Sequence, residues 1–177
     1  SDVGLLDGET YNEVASHERV EIVAPLGFGD SYEGAPVIGT IADFVTFLSD
    51  DRVEGRLWQG PFEAVAGAAA PVGLGDTFVP QHGVGDAVDP NAHSDEYTVV
   101  GTIPRTGSPW DRAIMVPIEG VWMVHGLADG HAPGDTERLG PPFEAPYFHG
   151  TPAIVVRAES LPANYALRSE FTRDNET

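Results

Sequence analysis

The residues best suited to chemistry are three histidines, His82, His93 and His125. Neutral imidazole is a common ligand for zinc, copper, nickel and iron. His82 and His93 flank one long polar loop, residues 80–96, and His125 closes a helix-like segment that follows a pair of strands. If that loop folds over the strands at 97–103 and 113–118, the three imidazoles converge. Glu119 is the first candidate for a further ligand, and His131, His149, Asp86, Asp89 or Asp95 could also supply it. The expected metal is zinc or another divalent transition metal, and binding would weaken below about pH 6 as the imidazoles protonate. The spacing matches no compact signature such as HExxH. The plain alternative is a set of solvated loop histidines.

Other constellations point away from covalent chemistry. In RTGSPWDRA (residues 105–113), Arg112 could hold a carboxylate bidentately. The simpler reading of Asp111 and its arginine neighbours is an ion pair that steadies a turn, with Trp110 covering the edge of the core. Ser108 lacks a G-x-S-x-G elbow. The glycine-rich pieces LGFGD (26–30) and GLGD (73–76) are not phosphate loops, because no GK[ST] follows them. Paired carboxylates specify nothing in so acidic a chain. No residue is therefore assigned a catalytic role.

The 177 residues carry 28 acids against 9 bases, for a net charge of −19, and all nine bases are arginine. A basic patch for phosphate contacts is missing, which excludes nucleic acid as a partner. An anionic membrane surface would repel the domain as well. Cysteine is absent, so there are no disulfides and no thiolate chemistry. No apolar run reaches the ~20 residues needed to span a bilayer, and no signal peptide is visible. The chain reads as a soluble piece of something longer.

With 21 glycines and 15 prolines the chain favours short strands and turns. A short helix is expected over residues 5–15, capped by Asp7 or Thr10, with Tyr11 and Val14 on one face. Residues 19–26 alternate as a strand that Pro25 ends, and GFGDSYEG follows as a turn. Residues 35–41 form the second strand of this hairpin, with Gly39 marking a bulge or a close approach. Residues 43–48 suit one or two helical turns. The run FEAVAGAAA (62–70) fits a buried strand or a tightly packed helix equally well. Strands are expected at 75–79, 97–103, 113–118 and 153–158, and helices at 119–125 and after Ser160, with Tyr165 and Leu167 facing inward. The order implies an α+β fold of two subdomains. Residues 1–55 and 150–177 form a discontinuous α/β part, into which a strand-rich part, 56–149, is inserted.

In this order the segments resemble the extracytoplasmic (periplasmic) core domain of MacB-like, FtsX-type ABC transporter permeases. The matching pieces are APVIGTIADF (35–44), EGRLW (54–58), AVAGAAA (64–70), GLGDTF (73–78), YTVVGTIPRTG (97–107), AIMVPIEGVW (113–122) and AIVVRAESLPANYALRSEF (153–171). The resemblance implies a domain between two transmembrane helices of the permease, on the extracytoplasmic side of the bacterial cell membrane. Its partners would be a cytoplasmic ATPase, the membrane portion of the same permease, and another extracytoplasmic protein. Its task would be binding and change of shape, with ATP hydrolysis located elsewhere. The histidine-based alternative is a metal-binding protein or a metal-dependent enzyme.

Overall fold

The computed structural model describes residues 4–82, 95–135 and 138–173. In chain order the elements are α1 (Gly8–Ala15), β1 (Val20–Tyr32), β2 (Ala35–Thr40), α2 (Ala42–Ser49), β3 (Glu54–Gly55), β4 (Glu63–Ala66), β5 (Thr77–Phe78), β6 (Gln81–His82), β7 (Tyr97–Thr102), β8 (Ile114–Pro117), α3 (Ile118–Val124), β9 (Ala153–Ala158) and α4 (Leu161–Arg173). The fold class is α+β, as expected. The strands form a mixed sheet in the order β3-β7-β4-β8-β2-β1-β6, with β5 added to β7 and β9 added to β1.

The centre of the sheet is a parallel ladder between β2 and β8, with Val37 opposite Ile114 and Gly39 opposite Val116. It joins a strand from residues 1–55 to a strand from residues 56–149. β8 is buried along its whole length. Its alternation sends Ile114 and Val116 into one apolar cluster with Tyr97, Val99 and Phe78. Met115 goes into another cluster with Val45, Trp58, Val65 and Ile103. β4 divides in the same way, Ala64 and Ala66 to one side and Val65 to the other. FEAVAGAAA thus contributes a strand, whose alanines and Gly67 let other backbone pack close. A third cluster joins Tyr11 and Val14 of α1 to Val23 and Leu26 of β1 and to Trp122, Phe143 and Phe148.

The first hairpin departs from expectation. β1 continues through Pro25 and the glycine-rich GFGD to Tyr32, and the turn is reduced to Glu33 and Gly34, both at positive φ. Leu26 bonds Thr151 on the β9 side, its N–H donating to Thr151 Oγ1 at 3.1 Å. Alternation then directs the nitrogen of Pro25 to the opposite side, where β2 pairing begins only at Gly27. The missing N–H therefore interrupts no ladder. Asp7 caps α1 by accepting from the Thr10 N–H at 2.8 Å. In α4 the inward residues are Ala163 and Leu167, one helical turn apart, whereas Tyr165 is 67% exposed. Tyr165 was expected inside, but two residues from Leu167 it falls on the opposite helix face.

α3 follows β8 directly and crosses the sheet at short range. A Cβ at Gly39 would lie 2.8 Å from Val121 Cγ2, and one at Gly120 would fall against the Pro61 carbonyl oxygen. Alanine in a helix interior is ordinarily about 1 kcal/mol better than glycine. At Gly120 the backbone contact reverses the sign. Gly120→Ala is expected to destabilise the fold by about 1–3 kcal/mol, measured as a fall in the thermal unfolding midpoint.

Candidate functional site

Two places gather polar groups. The first is the far end of the hairpin, where Gly29 adopts φ +127° and the β1–β2 register shifts between Gly27 and Asp30. β6 pairs there with β1, which sets His82 opposite Asp30 in the backbone register. His125, at the C-terminal end of α3, brings its Nε2 to 4.0 Å from the Asp30 carboxylate. Burial pushes the pKa of the Tyr97 phenol up, and the Asp30 and Asp95 carboxylates add to that rise. The end of α3 and the short β1–β6 pairing thus bring His125 and the backbone of His82 to the same end of β1, beside Asp30, an aspartate that sequence reasoning does not single out. His93 lies outside the described residues, as do Asp86 and Asp89. Among the described residues, no group of three or more histidines, cysteines or carboxylates is placed to hold a metal ion.

Glu119 is engaged elsewhere. Its side chain is buried in α3, where its Oε1 accepts from the Gly140 N–H and lies 3.3 Å from His131 Nε2. The His131 ring is also buried and stacks on Phe143 at 5.4 Å between centroids. Its Nδ1 has no hydrogen-bond partner among the described residues. Beside this pair, Tyr11, Trp122, Phe143 and Phe148 form an aromatic box with neighbouring centroids 5.0 to 5.9 Å apart. The Tyr11 hydroxyl donates to the Val23 carbonyl at 3.0 Å. The stretch after α3 is thereby fastened to α3, α1 and β1. His149, by contrast, is exposed.

The turn around Asp111 is structural. Its carboxylate accepts from the Thr106 N–H at 2.6 Å, the Thr106 hydroxyl at 2.7 Å and the Gly107 N–H at 2.9 Å. These bonds, the one from the Thr106 backbone foremost, hold its carboxyl below the ordinary range, with Arg105 contributing from 3.8 Å. Arg112 is exposed and, among the described residues, belongs to no ion pair. Trp110 packs edge-on against Phe44 at 4.9 Å, at the border of the core.

The second place is a groove along the N-terminal half of β1. One concavity of about 520 Å³ lies between α1, β1 and residues 141–143. A second of about 490 Å³ runs on between β1, α2 and Arg157. Both share Glu21, Ile22 and Asp43 as walls. No local pattern announces this groove, because its walls come from residues as far apart as Tyr11, Asp43 and Phe143.

No protein-family model matches the sequence, and no curated protein matches it. Solved structures do. The periplasmic region of MacB from Actinobacillus actinomycetemcomitans superposes with a TM-score of 0.54 at 14% identity, over 93% of this chain and 70% of that one. The fold is that of the MacB periplasmic region. The extracellular domain of the noncanonic ABC-type transporter YknZ from Gram-positive bacteria gives a TM-score of 0.52 at 12% identity, over 94% of this chain and 79% of that one. The resemblance read from the sequence therefore holds at the level of architecture. Among the described residues no helix is long and apolar enough to cross a membrane.

The buried pair gives a pH dependence with a defined sign. Burial pushes the Glu119 carboxyl above the ordinary carboxylate range. A carboxyl raised in the folded state stabilises the fold while protonated, and that contribution is lost as pH rises through the folded value. Glu119→Gln keeps an oxygen for the Gly140 N–H and an amide for His131 but cannot ionise. Its melting temperature relative to the parent is expected to rise as pH is raised from about 5 to 8, followed by thermal melts across that range.

Proposed function

We propose that this chain is the extracytoplasmic domain of an ABC transporter permease. It binds a partner or ligand and passes on a change of shape during export, and carries out no covalent chemistry itself. The observation that supports this most is the shared architecture with two transporter domains over more than nine-tenths of the chain. Two contacts link the beginning of the described chain to its later part. Leu6 bridges Thr151 in antiparallel fashion, and His17, just beyond α1, lies 3.2 Å from Glu170 of α4. In this reading residues 1–55 and 150–177 are the membrane-proximal part and residues 56–149 the inserted part. ATP is hydrolysed by a cytoplasmic subunit or domain, and the membrane portion of the same permease connects the two. A further extracytoplasmic protein is the natural partner.

The test is the gene that encodes the chain. One membrane-spanning segment is expected on each side of it, with an ATPase encoded in the same product or next to it. A full-length product without flanking spans would overturn the proposal.

A second reading, a site for zinc or another divalent transition metal, is favoured by the placement of His82 opposite Asp30 and of His125 beside it. The ligand set would be His82, His93 and His125, with Asp30 in the place first considered for Glu119. Zinc titration by calorimetry near neutral pH should show one site, lost in His82→Ala/His125→Ala and weakened below about pH 6. Unchanged zinc binding in the double variant, or a flat affinity across that pH range, would remove the metal from the account.

A further inference from the structure

β9 leaves an edge of the sheet open. Among the described residues it pairs with β1 alone. Leu26 of β1, opposite Ala153, turns its N–H toward the β9 side. Val23 turns its carbonyl the other way, where it accepts from the Tyr11 hydroxyl at 3.0 Å. Such directions alternate along an antiparallel ladder. The N–H and C=O groups of Ile154 and Val156 therefore point away from β1, and among the described residues no hydrogen-bond partner stands opposite them. β3, β5 and β6, at other margins of the sheet, have two residues each, too few to template another chain. β9 has six.

Edge strands ordinarily carry a guard against pairing with other chains, such as proline, lysine, a bulge or an inward charge. AIVVRA contains no proline and no lysine, and its register with β1 is unbroken from Ala153 to Arg157. Its one charge does not stand across the outer edge. Arg157 is folded over Phe47, 4.5 Å from the ring centroid, with its Nε 2.8 Å from Glu21 Oε2. Val156 is 41% exposed. The guard against a second copy is the net charge of −19, which sets copies of this chain apart by like-charge repulsion. That guard fails against a basic chain, which the same field draws in.

We infer that the outer edge of β9 docks an extended, basic segment of a partner protein, added to the sheet as one more strand. Main-chain bonds to Ile154 and Val156 would hold the segment in place. Its apolar side chains would lie beside those two residues, and its bases would be drawn by the acidic surface around them. The inference rests on the reading of this domain as a partner-binding part of a permease, and it names the mode of docking and the chemistry of the partner.

The test uses the chain by itself, with no membrane present, so its failure is separable from that of the transporter reading. A fluorescent synthetic peptide alternating arginine and valine is titrated with the protein at low salt and followed by anisotropy. A saturable, one-site isotherm is expected, weakening as salt is raised toward about 0.5 M. The same peptide with N-methyl groups on four successive central residues keeps its charge but cannot form a ladder on either edge, and should bind at least about tenfold more weakly. Val156→Pro removes an N–H that faces away from β1, a position where an edge strand tolerates proline. It should weaken the unmodified peptide to a similar degree. No binding at low salt would overturn the inference. So would equal affinity for the two peptides, since that means attraction to diffuse surface charge. Sedimentation of the chain alone at low salt should show a monomer. A dimer there that Val156→Pro abolishes would overturn the inference by giving the edge to a second copy.

Discussion

The parallel ladder between β2 and β8 is the contact on which the rest of the structure depends. β2 closes a hairpin early in the chain and β8 arrives some seventy positions later, so the ladder carries the loop-closure cost of everything between them. What offsets that cost is burial on both faces of β8 and the close seating of α3 on the sheet. That seating is possible only because Gly39 and Gly120 leave room for Val121, Ile118 and the Pro61 carbonyl. A side chain at either position would push α3 away from the sheet and with it both polar sites.

From this joint the functional features follow by geometry. α3 ends at His125, so its position sets the distance between that imidazole and Asp30. α3 also presents Glu119 to His131, and the aromatic box around that pair brings Phe143 against Tyr11. Phe143 and Tyr11 are in turn walls of the groove along β1. The histidine junction and the groove lie toward opposite ends of the same long strand, β1, which pairs with β6 near one and β9 near the other.

Much of the architecture was legible because it rests on local pattern. YTVVGT and AIVVRA alternate, Asp7 stands at a helix start, and the V-P boundary after AIMV marks a strand end. The long course of β1 was not legible. Pro25 and GFGD carry every local sign of a turn, and only the absence of a strand on one side of Pro25 makes the proline harmless. Tyr165 reads as inward by its apolar ring, but helical phase relative to Leu167 turns it to solvent. The histidine junction was half legible. His125 was found from its place after the helix, but Asp30 sat within the supposed turn. The Glu119–His131 pair joins a helix to a proline- and glycine-rich stretch with no repeat or spacing rule between them, and Glu119 was accordingly offered for metal instead. The groove had no local signature at all, being a product of tertiary packing.

Native-state hydrogen exchange tests the central claim, that the β2–β8 joint is the rigid element on which the placement of α3 and β1 depends. The amides of residues 37–40 and 114–116 are predicted to exchange slowest in the chain, opening only with global unfolding, while those of β9 and α4 open locally and sooner. Protection at the joint equal to or weaker than that in β9 and α4 would contradict the account, because the joint would then not be the element that holds the rest in place.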